Sequence, residues 1–387
     1  MNIISERRLV LILAALSAIT PLAIDMYLPA INNMAEVLST TNEQVSISVS
    51  VFFLGLALGQ LFGGPISDAY GRFPMVFLGL SVFGVINIAI LFVTQVEILW
   101  ILRFLQAFGG GIATVNVSAT VRDMFSGTES ARVFSLIGSI GILAPLIAPS
   151  LGLLFMLIGN WQLIFAFLFI YSLIALFFYQ KNFKGVYVKK ENAKVTPIKN
   201  YVNVFTSGRP MLMILALIIS SSGLYCVITS SSFMYTKYFG LSTPWYVFFF
   251  SLNIILMLIM VRVNIKFVRK FTPIKLLKTG IFLQVIFSII LMLAHKSTTV
   301  FLIAPLIAIY VSMQGLIFGN AISLILDNFP KISASANAVI GSLQYGAGAL
   351  SGFIASHFSD GTLFPITTTL FVSSFIGATI LFFSLKR

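Results

Sequence analysis

The sequence predicts an all-α membrane protein of twelve transmembrane helices in two pseudo-symmetric six-helix bundles. Three observations carry the prediction. Hydrophobic residues make up 58% of the chain and charged ones 9%, with a mean hydropathy of +1.02. A water-soluble globule of 387 residues needs more polar surface than that. The apolar residues fall into twelve runs, each near the roughly 20 residues a helix needs to cross a bilayer. The longest polar stretch, Gln180 to Arg209, divides those runs six and six.

In order, the runs are Leu9 to Ala30, Ser46 to Ile66, Met75 to Val93, Ile98 to Val121, Val133 to Phe155 and Trp161 to Tyr179 in the first half. The second half holds Met211 to Met234, Pro244 to Val263, Leu276 to Ala294, Thr299 to Leu324, Ala334 to Phe358 and Phe364 to Leu385. Their length and their internal Gly and Pro suit helices rather than barrel strands of about ten alternating residues. The first run follows Glu6-Arg7-Arg8 but is too long for a signal segment and lacks a small-x-small cleavage site before Asp25, so it is expected to remain as the first helix. Cys226, the single cysteine, lies in the seventh run and excludes an internal disulfide.

The net charge of +13 reports topology. With the N-terminus in the cytoplasm, only Lys237 and Lys296 fall outside, Arg103 lies within the fourth run, and all the others of the 24 Lys and Arg fall inside. Both termini are therefore expected in the cytoplasm, with no role in binding nucleic acid. The domains expected are residues 1–180 as the first bundle, 181–209 as a basic cytoplasmic linker carrying Lys181, Lys184, Lys189, Lys190, Lys194, Lys199 and Arg209, and 210–387 as the second bundle.

The halves also resemble each other. Arg72-Phe73-Pro74 is answered by Lys270-Phe271-Thr272-Pro273, Asp123 by Asp327, and Gln106 by Gln314, at offsets near 200 residues. A parallel repeat of six-helix halves resembles the major facilitator transporters, in which the ligand site lies near the midplane.

Asp25 and Arg103 sit well inside long apolar runs, while nearly every other charge can be placed in a loop or at a run's end; an ionisable group in hydrocarbon is a functional candidate by default. Asp25 lies seventeen residues beyond Arg8 on an outward-running helix, about 25 Å at 1.5 Å per residue. Arg103 precedes Arg122 by nineteen residues on an inward-running one, about 28 Å on the same rule. They share a depth and are expected to be partners, with Gln106 one turn from Arg103 on the same face. The competing reading has both side chains snorkelling to the outer interface. Burial opposes a charge on Asp25 while a nearby guanidinium favours it, and the sequence leaves the winner open.

Three motifs carry a family resemblance. Gly64-Pro65-Ile66-Ser67-Asp68-Ala69-Tyr70-Gly71-Arg72 resembles the G-x-x-x-D-x-x-G-R signature of the major facilitator superfamily, with Ala69 and Phe73 where that family has basic residues. Its glycines are expected to permit a tight turn, Asp68 to cap a helix and Arg72 to pair with Asp123, closing a cytoplasmic gate. Gly141-Ile142-Leu143-Ala144-Pro145-Leu146-Ile147-Ala148-Pro149-Ser150-Leu151-Gly152, preceded by Gly138, resembles the antiporter motif of proton-coupled drug exporters, with Ala144 at a position where many members have glycine. Two prolines kink such a helix and its glycines allow close packing. Asp25-Met26-Tyr27-Leu28-Pro29-Ala30 and Arg103-Phe104-Leu105-Gln106-Ala107 look like the Bcr/CflA branch of twelve-span drug:proton antiporters.

The resemblance implies proton-coupled efflux of small amphipathic compounds such as drugs by alternating access, and hence antibiotic resistance. It makes Asp25, Arg103, Gln106 and Tyr27 the proton-coupling and substrate-binding residues. Gly64, Asp68, Gly71, Arg72 and Asp123 become the gate, and Gly141, Pro145, Pro149 and Gly152 the antiporter-motif helix. The partners implied are protons, a small-molecule substrate and the bilayer of a bacterial inner membrane, for a monomer without cofactor or metal. The alternatives are an importer or exporter of one metabolite or siderophore on the same fold, or a receptor that transports nothing.

Weaker cavity candidates are Ser220, Ser221, Ser222, Tyr225, Ser230, Ser231, Ser232, Tyr235, Asn253, Gln344 and Tyr345, with Phe52 and Phe53 facing an apolar ligand. The chain has no Gly-Lys dipeptide and so no phosphate-cradling loop of the P-loop kind. His295 and His357 lack metal-ligand spacing, and no nucleophile-base arrangement is visible, so an enzyme is not expected.

Overall fold

A computed structural model describes residues 3–125, 127–183, 197–268, 270–330 and 332–385. All regular structure among them is helical. The first half contains α1 (Ile3–Asp25), a short 3-10 turn (Leu28–Ala30), α2 (Ile31–Val37), α3 (Asn42–Tyr70), α4 (Arg72–Ile90), α5 (Val96–Met124), α6 (Gly127–Ile158) and α7 (Gln162–Phe183). The second contains α8 (Pro197–Phe205), α9 (Arg209–Ser232), a π-helical turn (Phe233–Tyr238), α10 (Thr243–Phe267), α11 (Pro273–Leu293), α12 (Val300–Ser312), α13 (Gln314–Leu326), α14 (Ser333–His357) and α15 (Phe364–Leu385).

Eleven helical segments among the described residues are long and apolar enough to cross a membrane, and α6 adds the shorter apolar stretch Leu143–Ile158. Their outer faces are greasy: Val85 is 63% exposed, Phe301 72% and Leu293 80%. A soluble protein rarely presents so much apolar surface, whereas lipid solvates it. The chain is a multi-pass membrane protein.

Contacts gather the chain into two compact units, residues 1–40 with 51–198, and residues 41–50 with 199–387. In the second, Ile214 of α9, Leu277 of α11, Ile317 of α13, Val339 of α14 and Leu381 of α15 share one buried cluster. In the first, α3 presents Gly55, Gly59 and Gly63 one turn apart to α5, where a Cβ on Gly59 would overlap the Phe108 carbonyl oxygen. Small residues let two helix backbones approach where no hydrophobic drive separates helix from lipid.

Four expected outlines change. The first run breaks into α1, a turn and α2, and the tenth divides at Met313 into α12 and α13. The seventh run ends in the π turn. The expected linker is partly ordered: α7 continues to Phe183, and α8 buries Val204 in the second unit's cluster while Val202 and Phe205 stay exposed. Pro197 starts that short helix, where its missing N–H costs nothing. Lys184, Lys189, Lys190 and Lys194 lie outside the described residues.

Replacing Gly59 with Leu forces α3 off α5 and is expected to lower stability by about 1–3 kcal/mol. Thermal unfolding of purified protein in detergent checks this, with lipid-facing Val85→Leu as the control expected to unfold at the wild-type temperature.

Candidate functional site

The site begins with a broken helix. Pro29 has no N–H, and its ring collides with the carbonyl four residues back, which belongs to Asp25. Helix α1 accordingly ends at Asp25. The Met26 N–H still reaches the Leu22 carbonyl at 3.2 Å, but the Tyr27 N–H tightens onto Ile24 at 3.2 Å. The Ala23 carbonyl is thereby left without its usual helical donor, at the negative end of a helix dipole.

Arg103, fully buried on α5, fills that place. Both its Nη1 and its Nη2 donate to the Ala23 oxygen at 3.1 Å. Nη1 also donates to Gln106 Oε1 at 2.6 Å. Gln106 Nε2 donates to Asn87 Oδ1 at 2.8 Å, and Asn87 Nδ2 donates to the Phe83 carbonyl at 2.7 Å. One polar chain therefore ties α1, α5 and α4 together through buried groups, where each completed hydrogen bond spares a desolvation cost of about 1–3 kcal/mol. Aromatic rings enclose the cation, with its Cζ 4.2 Å from the Phe52 centroid, 4.5 Å from Tyr27 and 5.8 Å from Phe165. Tyr27 in turn meets Phe165 edge-on at 6.0 Å.

The expected partnership of Asp25 and Arg103 is corrected here. Both are buried, yet the described residues hold no ion pair between them. The guanidinium instead directs Nη1 and Nη2 to the carbonyl that the break exposes, two residues before Asp25, and Nη1 to Gln106 as well. Arg103, Gln106 and Tyr27 are brought together as expected, and Phe52 packs on the cation. Asn87 was missed; its one signal was a lone carboxamide in the otherwise apolar third run.

Among the antiporter-motif residues, Gly152 is placed against the break. A Cβ on it would overlap the Met26 carbonyl oxygen, so α6 rests on the α1 turn backbone to backbone. Pro145 and Pro149 lie inside α6, the first half-buried and the second buried. A Cβ on Gly141 would meet nothing within 4 Å among the described residues, and Gly138 lies outside the described side chains.

The G-x-x-x-D-x-x-G-R motif forms a cluster where α3 meets α4. Gly71 takes φ +100°, a backbone region that favours glycine, and starts α4. Arg72 pairs with Asp68, donates through Nη1 to Ser67 Oγ at 2.5 Å, and reaches Asp123 Oδ2 through Nε at 3.4 Å. Ser67 Oγ donates to the Gly64 carbonyl at 2.7 Å. The Arg72–Asp123 pair is as expected. Two details are corrected: Gly64 lies inside α3 rather than in a turn, and Asp68, in the last turn of α3, is an ion-pair partner rather than a helix cap. Partly exposed pairs of this kind contribute about 0–1 kcal/mol each. Such a cluster suits a reversible contact.

In the second unit three of the six candidate serines bond to their own helix. Ser220, Ser222 and Ser231 donate to the carbonyls of Leu217, Ile219 and Ile228 at 2.8–3.0 Å. Ser221 donates to Gln314 Oε1 at 3.0 Å, and Tyr225 meets Tyr345 edge-on at 5.7 Å.

Comparison with known proteins gives this geometry a context. A model of the Major Facilitator Superfamily matches residues 13–356. The chain is 29% identical over 369 residues to a bicyclomycin resistance protein homolog of Haemophilus influenzae, covering 93% of this chain and 92% of that one. It is 28% identical to multidrug resistance protein MdtL of Salmonella paratyphi B, covering 87% and 85%. The nucleoside transporter NupG shares the fold with a TM-score of 0.74 at 12% identity, covering 98% of this chain and 100% of the other. The relatives agree with the Bcr/CflA-like resemblance drawn from the motifs.

Gly152→Ala is expected to lower transport roughly tenfold by lifting α6 off the α1 break, since ångström-scale displacements at a site carry costs of that order or more. Gly141→Ala, whose added methyl meets no described atom, is expected to transport as wild type does. Uptake assays on membrane vesicles with matched protein amounts compare the two.

Proposed function

We propose that the chain, which belongs to the Major Facilitator Superfamily and is a transporter rather than an enzyme, exports small amphipathic compounds, drugs among them, in exchange for protons. The observation that carries this reading is the division of labour at the α1 break. Arg103 is held by Ala23, Gln106 and aromatic rings, which leaves the Asp25 carboxyl without the cation that would fix its charge. An arginine stays charged at any working pH, so the proton falls to the carboxylate. The charge state of Asp25 then depends on how much water reaches it, and alternating access changes that.

In this reading Tyr27 and Gln106 bound the ligand beside the break, and Arg103 supplies a fixed positive field. The Arg72 cluster latches the cytoplasmic side, with both ends of the chain on that side, in a bacterial inner membrane. The drug-resistance names of its relatives support the choice of amphipathic compounds over a single metabolite.

Asp25→Asn is expected to abolish substrate-driven proton movement while substrate binding stays within a few-fold of wild type. The check is the internal pH of proteoliposomes on substrate addition, and a wild-type pH response from the variant would remove Asp25 from the coupling step. Arg72→Ala is expected to slow turnover and leave substrate affinity within a few-fold, because it biases a conformational equilibrium without touching ligand. Equilibrium binding and initial-rate transport, measured on the same preparation, separate the two effects.

A further inference from the structure

The second unit contains a polar spot that packing alone does not account for. Tyr235 lies on the π turn that ends α9, and such turns recur at functional sites because the extra residue redirects a side chain. Its ring stacks on Phe249 with centroids 5.9 Å apart and an interplanar angle of 11°, and lies 6.0 Å from Tyr246. Asn253, one turn beyond Phe249 on α10, faces the Tyr235 hydroxyl. Tyr235 is fully buried and Asn253 is 4% exposed. Even so, beyond this mutual approach the Tyr235 hydroxyl, the Asn253 oxygen and the Asn253 nitrogen reach no hydrogen-bond partner among the described residues. Buried amides in folded proteins are nearly always satisfied. A leucine at 253 would fill similar volume without leaving a donor and an acceptor unmet.

We propose that Tyr235 and Asn253 form a binding subsite for an uncharged hydrogen-bonding group of the transported compound, an amide or a hydroxyl carried beside an aromatic ring. Asn253 offers one donor face and one acceptor face, and the Tyr235 hydroxyl offers either, which matches a group that both gives and accepts. Phe249 and Tyr246 supply ring faces and edges for the adjoining aromatic portion. The cation on the same turn, Lys237, is engaged by Glu43 at 2.7 Å, so the spot presents no unpaired charge to attract an ion. Free-state stability is traded for recognition here, as at many binding sites. The proposal rests on the drug-export reading and extends it to the chemistry of the ligand.

The experiment uses purified full-length protein and two probes: chloramphenicol, which has an aromatic ring, an amide and hydroxyls, and tetraphenylphosphonium, which has rings and charge but no hydrogen-bonding group. Asn253→Leu and Tyr235→Phe are expected to unfold at or above the wild-type temperature without ligand. Both are expected to lose at least tenfold in chloramphenicol affinity and to keep tetraphenylphosphonium affinity within threefold. A lower unfolding temperature for Asn253→Leu identifies a structural amide and overturns the proposal, as does an equal loss or no loss for both probes. A wild type that binds tetraphenylphosphonium but not chloramphenicol overturns the subsite and leaves drug binding standing. A wild type that binds neither probe removes the drug-export reading and this subsite together.

Discussion

A carbonyl stripped of its helical donor and an arginine buried in an apolar bundle are each costly alone, and in this chain they cancel. In hydrocarbon every backbone polar group has to be met from within the protein. Pro29 stops α1 at Asp25, the retreating Tyr27 N–H empties the Ala23 carbonyl, and two Arg103 nitrogens occupy it. The other features of the first unit follow. The Gln106–Asn87 chain holds the guanidinium on its second side, Phe52 and Tyr27 cover its faces, and Gly152 lets α6 close over the turn.

Much of this was legible in the residues, for reasons that can be named. Spans were visible because a bilayer demands long apolar runs, and the Arg72–Asp123 contact because two short loops at one end of neighbouring helices bring their charges together. The Arg103–Gln106 bond followed from their spacing of three residues on a helix. The Asp25–Arg103 pair was expected because depth along a helix is readable, but depth counts residues and not carbonyls. Seeing that Arg103 would choose a backbone oxygen required knowing which carbonyl the proline break leaves empty. Asn87 and α8 were missed for a related reason. A single amide in an apolar run, or nine residues in a polar linker, make too short a pattern until their packing partners are known.

The two units treat matched positions differently. Gln106 serves a buried cation, whereas its counterpart Gln314 accepts from Ser221 and donates to the Ser220 carbonyl at 3.4 Å. A glutamine stands in both halves while the charge it serves exists only in the first; in the second, Val311 stands three residues before Gln314. At these matched positions the first unit holds a buried guanidinium and the second only neutral hydrogen-bonding groups.

The seat of Gly152 on Met26 has a mechanical consequence. Side chains in contact absorb small displacements by changing rotamer, but a backbone pressed against a backbone has no such slack. Any sideways movement of α6 therefore passes undamped into the turn between α1 and α2. That turn is the compliant member of the joint, α6 is its lever arm, and Asp25 is mounted at the fulcrum.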